Sequence, residues 1–201
     1  MKEYVSVDLE TTGFNPDLND IIEIGAWKVK DGVVVDKFST LVRPIMYIPR
    51  TIQQITGITM EDVKDCETIE PIILEFFDFC GDLPLLGHNL SFDYNFLVKK
   101  GKAVGVDFSL KGTRSGIDTL KLSKKFLKLE NNKLETVANH FNIVLDDTKG
   151  GYHRAGYDSY ITKLVYDRFL FMYPNSMFPE TIAPDDKNYG KVVNNETLSF
   201  D

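Results

Sequence analysis

The chain has 201 residues and a mass of 22.9 kDa, room for one well-buried core or at most two small domains. Hydrophobic residues make up 43% and charged residues 26%, which excludes collagen-like and disordered chains. The formal charge of -7 argues against a general nucleic-acid binder, because phosphate affinity is supplied by Lys and Arg.

Residues 4–9 (YVSVDL) read as a strand, with Val5, Val7 and Leu9 on one face and Ser6, Asp8 and Glu10 on the other. Thr11-Thr12-Gly13 breaks it. Residues 21–29 and 33–41 are further strands, joined antiparallel through the turn Lys30-Asp31-Gly32. Pro44 and Pro49 mark a loop, and Thr51 to Ile55 forms one or two helical turns before Gly57. Ile69, Ile72, Ile73, Phe76, Phe77 and Cys80 recur at helical spacing, with Pro71 in the first turn and Gly81-Asp82 at the end. Leu83 to Gly87 is a short strand, and Ser91 to Lys100 a helix with Phe92, Phe96 and Leu97 inward. Residues 119–128 and 132–140 are two shorter helices, and a long one runs from Arg154 to Met172 until Pro174 stops it. The pattern predicts one α/β domain with a mixed sheet over residues 1–173. Residues 174–201 read as a tail that wraps the domain or stays mobile.

No apolar run approaches the ~20 residues that cross a bilayer, so no membrane contact is expected. The opening MKEYVSVDLE is charged where a leader peptide needs its apolar stretch. Two cysteines, Cys66 and Cys80, are too few for a disulfide framework, so the expected setting is reducing and cytoplasmic. The charge is uneven: Lys99 to Lys133 holds ten basic residues and three acids, and so carries +7 against -14 for the remainder. Such a lobe fits either a phosphate backbone beside a carboxylate site or an ordinary solvated face. Lys124 and Lys125 are its candidate backbone contacts.

Asp8 and Glu10 face the same way at the carboxyl end of the first strand, about 6–7 Å apart along it. Ligand crevices form at that end of such sheets. Two neighbouring carboxylates raise each other's pKa unless a cation lies between them, and hard oxygen donors suit Mg²⁺ or Mn²⁺. Asp93 falls on the first turn of a helix at the same sheet edge, after His88-Asn89. His153 and Asp158 bracket the start of the last helix. Five residues apart, they cannot share a narrow helical face. With His153 in the loop before the helix, and Gly150-Gly151 freeing that loop, the imidazole reaches a ligand that Asp158 holds from the second turn. The group Asp8, Glu10, Asp93 and Asp158 contains no Cys, which disfavours zinc. Two divalent ions would clamp a phosphodiester and activate water, and an imidazole, of ordinary pKa about 6.5, suits the base.

Three segments carry a resemblance: Asp8-Leu9-Glu10-Thr11-Thr12-Gly13, His88-Asn89-Leu90-Ser91-Phe92-Asp93 and His153-Arg154-Ala155-Gly156-Tyr157-Asp158. In that order they resemble the three exonuclease motifs of the DEDD superfamily, histidine subtype, and above all the proofreading 3′–5′ exonuclease subunit or domain of bacterial DNA polymerase III. Residues 20–26 (DIIEIGA), 55–59 (ITGIT) and 118–120 (DTL) also look like family segments. The likeness covers about residues 3–170. It implies a ribonuclease H-like α/β fold, a five-stranded mixed sheet with helices on both sides. It also implies two divalent cations, Mg²⁺ or Mn²⁺: Asp8, Glu10 and Asp158 bind the one that activates the nucleophile, and Asp8 with Asp93 serves the other. His153 is the implied general base. Thr11, Thr12 and Gly13 would lie beside the scissile nucleotide, Phe14 against the terminal base, and His88, Asn89 and Phe92 along the strand path. The implied substrate is a single-stranded DNA 3′ end.

The glycine-rich lead-in Lys149-Gly150-Gly151-Tyr152 departs from a rigid support for the base. The sequence leaves open an RNA substrate, a polymerase or replisome partner, and the oligomeric state. A non-catalytic nucleic-acid adaptor would fit best with one acid replaced, and none is.

Overall fold

The computed structural model describes residues 3–108, 115–143, 153–174 and 180–181. Strands β1 (Glu3–Thr11), β2 (Ile21–Lys30) and β3 (Val33–Leu41) form an antiparallel meander. The β2–β3 turn places Asp31 and Gly32 at positive φ (50° and 81°), as a tight hairpin requires. Helices α1 (Arg50–Thr56), α2 (Met60–Val63) and α3 (Ile69–Cys80) lead to β4 (Leu85–Gly87), which pairs parallel with β1. Next come α4 (Leu90–Ala103), β5 (Ser115–Asp118, parallel to β4), α5 (Thr119–Phe126), α6 (Leu134–His140) and α7 (Ala155–Met172).

The sheet order is β3-β2-β1-β4-β5, and a two-residue strand β6 (Glu180–Thr181) adds antiparallel to β5. Five principal strands with helices on both faces make this a ribonuclease H-like α/β fold, as the resemblance implies. β5 and α2 carry no periodicity strong enough to be read from sequence. α2 is four residues held by a capping box, in which Asp62 Oδ2 accepts from Thr59 N at 2.8 Å. Residues 83–84 do not extend β4, and β6 draws two residues of the presumed tail into the sheet.

Strand alternation divides the interior. Val5, Val7 and Leu9 of β1 face a core built with Ile72, Ile73, Phe76 and Phe77 of α3 and Phe96 and Leu97 of α4. The even-numbered residues face α7, which runs antiparallel to β1. Tyr4 packs edge-on against Tyr166, with ring centroids 5.5 Å apart, and Ser6 Oγ donates to the Ser159 carbonyl at 2.6 Å.

α7 approaches the sheet backbone at Gly25, which pairs with Asp8 across β1 and β2. A Cβ at Gly25 would lie 2.1 Å from the Ala155 carbonyl carbon and the Gly156 nitrogen, so glycine is required by contact rather than by dihedral angle. Trp27 Nε1, two residues along the same face, donates to the Gly156 carbonyl at 2.8 Å.

Gly25→Ala must therefore displace the first turn of α7. A cost of about 3 kcal/mol is expected, a fall in Tm of about 6–12 °C for a chain of this size, read by thermal denaturation. An unchanged Tm would show that the helix does not rest on Gly25.

Candidate metal centre and nucleic-acid site

β1 outruns its parallel neighbour: β4 pairs with it only at Val5 and Ser6. Val5 N donates toward β4, to the Pro84 carbonyl, so the N–H groups of alternate residues point the same way. At Leu9 no strand remains to receive that N–H, and Asp93 Oδ1 accepts it at 3.0 Å. The chain reaches that point through Asn89, whose left-handed backbone (φ 66°) turns it from β4 into α4. Asp93 is buried, 2% exposed, beside the carboxyl end of β1. This is the point where the sheet order reverses, the usual crevice of such folds.

Asp158 arrives from the opposite layer, on the first turn of α7 rather than the second. Its Oδ2 accepts from the backbone N–H of His153 at 3.0 Å. His153 is exposed and holds a left-handed backbone (φ 67°), an uncommon conformation for a histidine, which aims that N–H at the carboxylate.

Ligand oxygens of Asp8, Glu10 and Asp158 lie within 4.8 Å of one another. Asp93 does not join this group of three. Among the nearby charges it nonetheless contributes most to the rise in the Asp8 pKa. Burial first, then Asp93, Asp158, Glu10 and Glu23, drives the Asp8 carboxyl well above the usual carboxylate range. Burial, reinforced by Asp158, Glu23 and Asp93, pushes Glu10 up to about 8, with Arg154 opposing. Burial likewise lifts Asp158 to about 7, although the His153 N–H works against it. Asp158 Oδ1 is buried and finds no hydrogen-bond partner among the described residues. An oxygen-only donor set with an orphaned carboxylate oxygen fits a hard divalent cation. These residues make a metal-binding acidic cluster.

Two residues that support this cluster went unassigned in the sequence reading. Glu23 lies opposite Glu10 in the β1–β2 register and is 3% exposed. It accepts from Arg154 Nε and Nη2 (2.9–3.2 Å) and from Ala155 N at 3.0 Å, so the start of α7 is clamped to β2. The register of the hairpin, combined with an Arg directly after His153, is the signal that would have found them.

The remaining candidates divide. Phe14 is half exposed and meets Phe92 edge-on, with centroids 6.3 Å apart, above the acidic end of β1. The hydroxyls of Thr11 and Thr12 are turned inward: Thr11 donates to the Gly13 carbonyl, while Thr12 donates to Met46 Sδ and accepts from Asp20 N. Gly13 is crowded by Asn19, whose side chain would meet a Cβ at 2.8 Å. His88 uses both ring nitrogens within the fold, Nδ1 with Thr119 Oγ1 at 2.9 Å and Nε2 with the Asn132 carbonyl at 2.8 Å. Asn89 stays exposed, and its N–H donates to Asp118 Oδ1 at 3.0 Å.

The basic stretch is less uniform than its sequence. Lys99 pairs with Asp17, and Lys100 with Asp20, so neither is a loose cation. Lys124 and Lys125 are exposed on the last turn of α5, with Lys125 over the Phe126 ring. Lys111 and Arg114 lie outside the described residues, as do Gly150 and Gly151. No helix among the described residues is long and apolar enough to cross a membrane.

The family model "RNase_T: Exonuclease" matches residues 5–166. The PolC-type DNA polymerase III of Thermotoga maritima is 38% identical over 172 residues, covering 84% of this chain and 12% of that protein. This chain thus spans about an eighth of the length of the PolC-type relatives it matches. The DNA polymerase III subunit epsilon of Aquifex aeolicus is 34% identical over 168 residues, 83% of this chain and 80% of that one. Among solved structures, exonuclease X in complex with 5′ overhanging duplex DNA aligns with a TM-score of 0.71 and 26% identity, over 90% of this chain and 97% of that one. Exonuclease I of E. coli with a dT13 oligonucleotide shares the fold, with a TM-score of 0.76 at 16% identity over 87% of this chain and 42% of that one. With its acidic motifs gathered at the end of β1, the chain belongs to the exonuclease family as a DEDD-type 3′–5′ exonuclease resembling the PolC and epsilon proofreading domain.

Proposed function

We propose that the chain removes 5′-mononucleotides from single-stranded or frayed 3′ DNA ends by two-metal-ion hydrolysis, with His153 as general base. The observation that carries this is the meeting of Asp8, Glu10 and Asp158 within 4.8 Å. Three carboxylates that close are tolerable only protonated or bound to cations. The DNA substrate is supported by the DNA complex of exonuclease X and by the polymerase relatives.

Asp8, Glu10 and Asp158 would hold one Mg²⁺ or Mn²⁺, and Asp8 with Asp93 the second. Ions held there would supply charge neutralisation at the scissile phosphodiester and a lowered pKa for the attacking water. Asp93 has one carboxylate oxygen committed to Leu9 N, which fixes its position against Asp8. His153 takes the water proton on an imidazole nitrogen, and its own N–H restrains Asp158, so base and acid share one support. Phe14 and Phe92 form an apolar wall against the terminal base. Thr11, Thr12 and Gly13 shape the neighbouring backbone, while His88 sets the β4–α4 corner beneath the strand path. Asn89 and the exposed Lys124 and Lys125 face the strand's phosphates.

Asp8→Ala and Asp158→Ala should lose nearly all turnover on 5′-labelled single strands. His153→Ala should fall by roughly 10²–10⁴ while keeping its stabilisation by Mn²⁺. Undiminished digestion by the Asp8 variant, or by wild type in chelator, would end the assignment. Running matched RNA strands beside DNA decides the sugar preference.

Charge reversal of Lys124 and Lys125 should raise KM and flatten its salt dependence, because fewer counterions are released. An unaltered KM across salt would return both lysines to the solvated surface.

Without metal, the site binds protons that the unfolded chain has already released. Its carboxyls titrate higher in the fold than their ordinary values of 3.8 and 4.5, Glu10 at about 8 and Asp158 at about 7. Native stability from these groups therefore falls as pH rises through that window. Divalent ions displace the protons. The Tm difference between Mn²⁺ and chelator should widen from about pH 5.5 to about pH 8.5. A difference independent of pH would mean that the ion binds elsewhere.

A further inference from the structure

Beside the carboxylates, two loops are tied together by a device that the hydrolysis does not use. Asp20, the residue before β2, is largely buried and its carboxyl is held below the ordinary carboxylate range. Burial pushes that pKa up, but the Lys100 ammonium and the N–H groups of Met46 and Ile45 more than offset it. Oδ1 accepts from Lys100 Nζ at 2.9 Å, and Oδ2 accepts from Ile45 N at 3.0 Å and Met46 N at 3.2 Å. Lys100 Nζ also donates to the Asn19 carbonyl at 2.9 Å. Thr12 N donates to the Asp20 carbonyl, and Asp20 N donates to Thr12 Oγ1. One ion pair thus joins the end of α4, the β1–β2 loop and the β3–α1 loop, and Asp20 bonds back to Thr12, two residues beyond Glu10.

The backbone so locked presents apolar side chains to solvent. Ile45 is 84% exposed and Tyr47 67%, on either side of Met46, whose sulfur accepts from Thr12 Oγ1. Exposed Ile and Tyr on a rigid, hydrogen-bonded backbone lose little freedom on binding. Thr12, two residues after Glu10, meets Met46 between them, so the pair adjoins the site. The Tyr47 ring suits the flat face of an unpaired base, which stacks on aromatic rings without regard to sequence, and Ile45 adds apolar contact.

Resting on the exonuclease reading above, we propose that the Asp20–Lys100 pair is a positioning pair. It holds Ile45 and Tyr47 as a contact platform for unpaired bases upstream of the terminal nucleotide. A platform of this kind contributes to long strands and not to a dinucleotide, so it gives the enzyme a preference for length.

The test is the length dependence of KM for single-stranded DNA, from a dinucleotide to about ten nucleotides, in the full chain with Mn²⁺. In wild type KM should fall with length. In Ile45→Ala and Tyr47→Ala that advantage should shrink about tenfold, with kcat on the long strand retained. Lys100→Met should do the same and Lys100→Arg should restore it, which a purely structural role, read as Tm alone, would not do. Ile45 and Tyr47 are exposed, so their variants fold even where Lys100→Met does not. An unchanged length profile in both alanine variants would assign the patch to a protein partner and overturn the proposal. So would a loss of kcat equal on dinucleotide and long strand. Failure of the underlying reading looks different: wild type would then digest no strand of any length.

Discussion

The contact on which the site depends is that of α7 with Gly25. A helix backbone can approach a sheet this closely only where no side chain intervenes. At that spot the Ala155–Gly156 backbone occupies the space a Cβ would take. Asp8 is the cross-strand partner of Gly25, so pressing α7 there delivers Asp158, three residues on from Ala155, to the same sheet end. The Glu23–Arg154 clamp and the Trp27 indole N–H hold the helix in register from either side. Remove the close approach and the acids have no reason to meet.

Holding them together works against their own electrostatics. Each carboxylate is raised by burial and raised further by its neighbours, while backbone N–H groups restrain Asp93 and Asp158. The strong packing of the two layers, Tyr4 on Tyr166 on one face and Val7 and Leu9 against α3 and α4 on the other, supplies the rigidity. A cleft preorganised in this way is costly for its own charges and favourable for cations. Stability and metal affinity are accordingly linked through the same few oxygens.

Polar groups nearby that look available in sequence are mostly committed within the fold. His88 is used at both nitrogens, Thr11 and Thr12 at their hydroxyls, and Lys99 and Lys100 by aspartates. The exposed groups are of a different kind: Phe14, Ile45 and Tyr47, the His153 side chain, and lysines on α5. Polar side chains build the loops, and apolar faces with a few charges are left outward.

Local chemistry determined what the sequence could announce. Alternation along residues 4–9, the 3.6-residue period of α3 and the acids at element ends are properties of neighbours in the chain. They led to the α/β domain and to Asp8, Glu10, Asp93, His153 and Asp158. β5 and α2 were not legible, since four-residue elements carry too few periods to stand out. Glu23, Gly25, Arg154 and the Asp20–Lys100 pair had no local signature either. Their roles are set by partners up to 132 residues away and by how closely two backbones approach. Which carboxylates converge, which stays outside their group, and which lysines are already paired were decided by packing alone. Distance between side chains is a property of the tertiary structure, and charge and burial act through that distance.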